Sequence, residues 1–177
     1  MLSAMDDTVR EIVERLGLQR HPEGGWFREA YRAGLRVRHP SVAVDEAPRP
    51  ADATMRPAGT AIYYLLAAGE FSTFHRVTRS DELWHLYAGD PLALHLIHGD
   101  GAYEARVLTA DLAAGEPMSV VPAGCWQAAC VADGGRWSLC GCTVAPGFTY
   151  ADFELASPEE LIARSPEHEA VVRRFTR

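Results

Sequence analysis

The sequence predicts a fold dominated by β-structure: an antiparallel barrel or sandwich framed by short helices. Three observations carry that prediction. Between Gly59 and about Glu154, short runs rich in β-branched and aromatic residues follow one another with no helical pattern between them. The breaks between these runs hold turn residues: Ala68-Gly69, Ala88-Gly89-Asp90-Pro91, Gly99-Asp100-Gly101 and Asp133-Gly134-Gly135. Helical spacing is confined to the two ends of the chain.

Taken in order, the first element is a short helix. Asp6 or Asp7 caps it, Val9, Ile12, Val13 and Leu16 recur at helical spacing, and Gly17 is a natural stop. The segment His21-Pro22-Glu23-Gly24-Gly25-Trp26-Phe27 turns the chain into a strand running to about Arg32. Residues 39–57 carry Pro40, Pro48, Pro50 and Pro57 with little hydrophobic periodicity. Proline gives a sheet no amide donor, so this stretch is expected to be an inserted loop. The expected strands are Thr60–Leu66, Glu70–Val77, Glu82–Tyr87, Leu92–Ile97, Tyr103–Leu108, Ser119–Val121, Trp126–Val131, Trp137–Val144 and Phe148–Leu155. Closing them into a barrel removes exposed edges. Ser157-Pro158-Glu159-Glu160 starts a helix with a cap, a proline at the first position and a capping-box acid; Ser165-Pro166 starts another.

Composition sets the outer bounds. The 177 residues suffice for one domain with one substantial core. Residues 1–177 are therefore expected to form a single domain, with 1–20 as helix and linker, 59–155 as the barrel and 157–177 as the C-terminal helices. No run approaches the 18 apolar residues of a membrane span, and the N-terminus lacks the basic start and apolar run of a signal peptide. A cytoplasmic protein without a membrane partner is the expectation. The net charge is −7, and the basic residues, all arginine, are scattered. That argues against nucleic acid as a partner, because phosphate binding needs a clustered basic face. Cys125, Cys130, Cys140 and Cys142 match no common zinc spacing and read as buried thiols.

From Gly69 to Gly89 the chain reads Gly69, five residues, His75, one residue, Val77, four residues, Glu82, six residues, Gly89. This resembles the first motif of the cupin superfamily, in which a second His stands where this chain has Val77. Pro122-Ala123-Gly124, two residues and Gln127 resemble the second motif, with Gln127 where metal-binding cupins carry a third His; the upstream Gly115 is one residue further from the proline than usual. The segments His21–Phe27, Phe74-His75-Arg76, Ser80–Trp84, Val121–Gly124 and Thr143–Phe148 resemble one uncharacterised cupin branch of bacteria and fungi, from about Leu16 to the C-terminus. The resemblance implies a double-stranded β-helix, a jelly-roll-like barrel enclosing a small-molecule ligand, and a homodimer. The strand around Trp26–Tyr31 is a candidate to cross to the partner.

Strand alternation then assigns faces. If His75 faces the interior, so does Val77, while Arg76 faces out. Glu82 enters from the next strand with Trp84 and Leu86, and His85 points away. Gln127 and Ala129 come from the strand that closes the site. A non-haem iron site takes two His and a carboxylate. Any metal here would fall to His75, Glu82 and Gln127, with His85, Cys142 or Glu23 filling the gap. No cofactor is expected, and a divalent ion would bind weakly. The first reading is acid–base chemistry by His75 and Glu82 without metal, as in an isomerase, epimerase or lyase. Gln127, Glu23, Trp84 and Tyr64 are the candidate substrate-binding residues, with Trp84 either a stacking wall or a core aromatic. Parity alone leaves Tyr63 and Tyr64 equal for the inward position. The alternatives are a metal-dependent oxygenase or metalloisomerase, and a non-catalytic binding or sensing protein.

Overall fold

The computed structural model describes residues 6–38 and 55–177. In chain order its elements are α1 (Asp7–Leu16), β1 (Gln19–Arg20), β2 (Trp26–Arg32), β3 (Arg36–Arg38), β4 (Met55–Pro57), β5 (Thr60–Ala67), β6 (Phe71–Val77), β7 (Asp81–Gly89), β8 (Leu92–Ile97), β9 (Tyr103–Leu108), β10 (Met118–Val121), β11 (Trp126–Val131), β12 (Trp137–Ala145), β13 (Phe153–Leu155), α2 (Pro158–Arg164) and α3 (Glu169–Arg174). Two antiparallel sheets face each other, one ordered β1-β2-β5-β12-β7-β10 and the other β13-β6-β11-β8-β9. A two-stranded ribbon, β3-β4, stands apart.

The helix ends follow local chemistry. Asp6 accepts the Thr8 amide at 2.8 Å to start α1, and left-handed Gly17 ends it. Val9 of α1 packs with Leu18 and Leu65 on the outer face of the first sheet. Ser157 caps α2, and Leu161, Val172 and Phe175 close the outer face of the second sheet over Phe74, Trp126 and Ala128.

Between the sheets the strand period divides the interior lengthwise. At one end Tyr64, Leu66, Trp84, Leu92, Leu94, Leu96, Ala129 and Cys140 fill the space. Two residues earlier on β5 and β7, and two later on β12, the same faces present Ile62, Glu82 and Cys142 to an open cavity. Among the described residues no helix is long and apolar enough to cross a membrane.

Two expectations change. Residues 148–152 are not strand: Tyr150–Asp152 form a 3-10 turn and only Phe153–Leu155 pair, with β6. The buried Asp152 carboxylate takes two bonds from Arg56, at 2.6 and 2.9 Å, which draws the chain out of sheet geometry. Residues 55–57, expected as loop, pair with β3 as β4; the expected loop over 39–54 lies outside the described residues. Trp26–Arg32 forms β2 and pairs with Leu65–Thr60 of β5.

Candidate functional site

The cavity opens at one end of the barrel and holds about 310 Å³. Its walls come from Phe27, Ile62, Val77, Val144, Phe148 and Phe153, and its rim carries Glu29, Arg32 and Tyr150. His21, Glu23, His75, Glu82 and Cys142 supply its polar and thiol groups.

His75 owes its position to a break in register. Gln127 pairs with His75 but Ala129 pairs with Ser72, so Thr73 and Phe74 together oppose Ala128. The extra residue lets Phe74 pack outward while Ser72 and His75 are both buried on the inner side. It also brings the Thr73 carbonyl to 2.9 Å from His75 Nδ1. A carbonyl only accepts, so Nδ1 carries the proton and Nε2 faces the next group.

That next group is Glu23. Its Oε2 lies 3.2 Å from His75 Nε2, while Oε1 accepts the Ser72 hydroxyl at 3.0 Å and lies 3.6 Å from His21 Nδ1. Glu23 reaches the interior because Gly24 and Gly25 follow it with φ of 114° and 69°. A Cβ at Gly24 would collide with the Phe71 carbonyl, so only glycine lets this turn run beneath β6. Tyr64 donates its hydroxyl to the Gly24 carbonyl at 2.6 Å and holds the turn from below.

Glu82 enters from β7. Gln127 donates its amide to Glu82 Oε2 at 2.6 Å and accepts the Trp84 indole on its own oxygen at 2.8 Å. The chain Trp84–Gln127–Glu82 therefore fixes the Gln127 amide orientation, because the indole is a donor only. Burial acts alike on all these groups. It raises the Glu23 and Glu82 carboxyls above their usual range and lowers the His21 and His75 imidazoles, in each case against opposing charges nearby. The Cys142 thiol is pushed far up by burial and by the carboxylates beside it, which favours its protonated form.

The structure thus brings His75, Glu82 and Glu23 together on one cavity. It does not place Gln127, Trp84 or Tyr64 among the residues that line it. Gln127 stands behind Glu82. Trp84 is 1% exposed, edge-on to Tyr64, and is a core aromatic rather than a stacking wall. Tyr64 is the inward tyrosine of its pair, while Tyr63 packs on the outer face near α1. Glu23 Oε2 lies 3.2 Å from His75 Nε2, while Glu82 acts on His75 through its charge. His21 was not singled out in the sequence; its one signal is its place two residues before Glu23 in the glycine turn. The cysteines are free and buried, as expected.

For a metal, His75 and Glu82 offer the only motif ligands that reach the cavity. Val77 contributes a hydrocarbon wall, and the Gln127 oxygen is already committed to Trp84. Among the described residues no three His, Cys, Asp or Glu side chains are arranged to hold an ion.

Comparison with known proteins agrees with this architecture. The family model described as cupin superfamily (DUF985) matches residues 10–156. A protein of known structure from Shewanella oneidensis is 40% identical, with a TM-score of 0.78 over 94% of this chain and 96% of that one. A hypothetical protein from Leishmania major is 32% identical, with a TM-score of 0.81 over 94% and 97%. Oxalate decarboxylase from Bacillus subtilis shares the fold alone, at 12% identity and a TM-score of 0.50 over 88% of this chain and 36% of that one. No curated protein matches the chain. The chain belongs to the cupin superfamily, in the family described as DUF985.

Proposed function

We propose that this cupin is a metal-independent acid–base catalyst that moves a proton on a small carbonyl compound, as an isomerase or epimerase does. The observation that carries the reading is the 3.2 Å contact between His75 Nε2 and Glu23 Oε2, at the buried end of a cavity that Glu82 also faces. One proton sits on the His75–Glu23 line, and a second carboxyl waits elsewhere in the same cavity. Two separate proton stations are what enolisation needs.

In the proposed step, Glu82 takes the hydrogen from the carbon beside the carbonyl. The C–H electron pair forms the enol double bond, the carbonyl π pair moves to oxygen, and that oxygen receives the proton shared by His75 and Glu23. Return of a proton to either carbon, or to the opposite face, gives the isomer, so no oxidant or co-reactant enters. The His75–Glu23 pair is the acid of this step and the base of its reversal. The donor set supports the metal-free form, because the amide at Gln127 and the alkyl group at Val77 stand where imidazoles would be needed. Four free thiols support the cytosol as its compartment.

The test is hydrogen exchange from D2O into a panel of small aldehydes and ketones, followed by NMR. Wild type is expected to label the carbon next to the carbonyl. His75→Ala and Glu82→Gln are expected to lose about 10²-fold or more of that rate while keeping the β circular-dichroism signal. Equal rates in wild type and both folded variants, or no exchange across the panel, would overturn the proposal.

A further inference from the structure

The charges around the cavity are unbalanced in a way that the proton-transfer reading does not require. Three carboxyls line it, Glu23, Glu82 and Glu29. Among the described lining residues the one guanidinium is Arg32, and it is spent at the rim: its Nε and Nη2 bond Glu29 at 2.9 and 2.6 Å and its Nη1 bonds the Phe148 carbonyl at 3.2 Å. Within the cavity Ser72 donates its hydroxyl to Glu23 and Gln127 its amide to Glu82, and the His75 and His21 imidazoles lie 3.2 and 3.6 Å from Glu23. Two buried carboxyls without a full positive partner are costly when ionised. Above them stand the rings of Phe27, Phe148 and Phe153, with Tyr150 at the mouth. Their negative faces attract cations and give nothing to anions.

From this juxtaposition we infer that the cavity selects small molecules carrying a positive charge on an aromatic-sized apolar body, and rejects anions. An ammonium group supplies the missing counter-charge to Glu82 and Glu23, and the phenylalanine walls cover the body. The inference deepens the proposed function, because it names the substrate class of the same site, but it is tested by binding alone.

Isothermal titration with three probes of one shape decides it: benzylamine, benzyl alcohol and benzoate. Benzylamine is expected to bind saturably, and benzoate at least about tenfold more weakly, since like charges brought together in a dry site repel strongly. Glu82→Gln is expected to narrow that gap at least threefold. Glu29→Gln alters only an exposed rim pair, so it keeps the fold; by releasing Arg32 it is expected to weaken benzylamine and strengthen benzoate. Binding of benzoate as tight as that of benzylamine, binding of benzyl alcohol as tight as that of benzylamine, or binding of none of the three would overturn the inference. Those outcomes leave the exchange experiment untouched, and a failed exchange experiment leaves this one untouched.

Discussion

Burial, neighbouring charges and one amide together set how Glu82 behaves. Burial raises that carboxyl, whereas the neighbouring His75 and the bond from Gln127 act the other way and favour its charged form. In the proposed reaction Glu82 must be ionised to act as base, so the rate should rise with pH through a value above the ordinary 4.5. It should fall again when the proton shared by His75 and Glu23 is lost. That falling limb belongs to the pair and not to either residue. Removing the amide with Gln127→Ala strips Glu82 of a donor and leaves the Trp84 indole without an acceptor. The rising limb is expected to move to higher pH, and stability to drop by about 1–3 kcal/mol for each polar group left unpaired. A pH profile of exchange and a urea titration measure the two effects separately. An unmoved rising limb in a folded Gln127→Ala protein would show that the amide does not tune the base.

At the scale of elements, the cavity rim depends on a loop held by charge. The Arg56 and Asp152 side chains are 6% and 3% exposed, and Arg79 adds a cation 3.6 Å from the same carboxylate. Burial works to raise the Asp152 carboxyl, but the Arg56 bonds and charge outweigh it and hold it below its ordinary value. A depressed folded pKa means the pair stabilises fully above the unfolded value of 3.8 and is lost as pH falls through the lower folded value. Asp152→Ala removes the carboxylate that accepts two bonds from the buried Arg56 guanidinium and is expected to cost about 3–5 kcal/mol at neutral pH. The cost should vanish in acid, which denaturation at two pH values would reveal. The same comparison shows what the sequence could yield. Strand alternation placed His75, Val77, Glu82 and Trp84 correctly on one side, because parity survives along an unbroken strand. It did not supply the extra residue at Thr73-Phe74, which fixes the His75 tautomer, since nothing in those two side chains announces a bulge. Nor could parity say where along the barrel the core stops. Trp84 and Glu82 share a face, yet one is packed and the other faces open space. Asp152 was misassigned because its partner, Arg56, is 96 residues away.

The whole molecule concentrates its polar chemistry at one end of the barrel and leaves apolar surface on the outside of the larger sheet. On β10 and β7 the directly paired residues Met118 and His85, and Val120 and Leu83, point outward together, while Val121 and Glu82 point in. Tyr87 extends the outer row, stacked on His85 and edge-on to Tyr63. Met118, Val120 and Tyr87 are 45%, 40% and 55% exposed, although α1 covers the neighbouring part of the same face. In this sheet β10 pairs only with β7, and on its far side Arg106 donates to the Val120 carbonyl at 2.7 Å and to the Ser119 hydroxyl at 2.9 Å, so the apolar row, not the strand edge, is what lies open. A second copy of the chain, related by a two-fold axis, would cover the row. We propose that the homodimer expected from the sequence forms through this face. Sedimentation at micromolar concentration should give the dimer mass. Val120→Glu together with Met118→Glu should give a folded monomer with the cavity intact, because neither side chain reaches the interior. A wild-type monomer under those conditions would exclude the dimer, and a dimer that survives both substitutions would move it to another face.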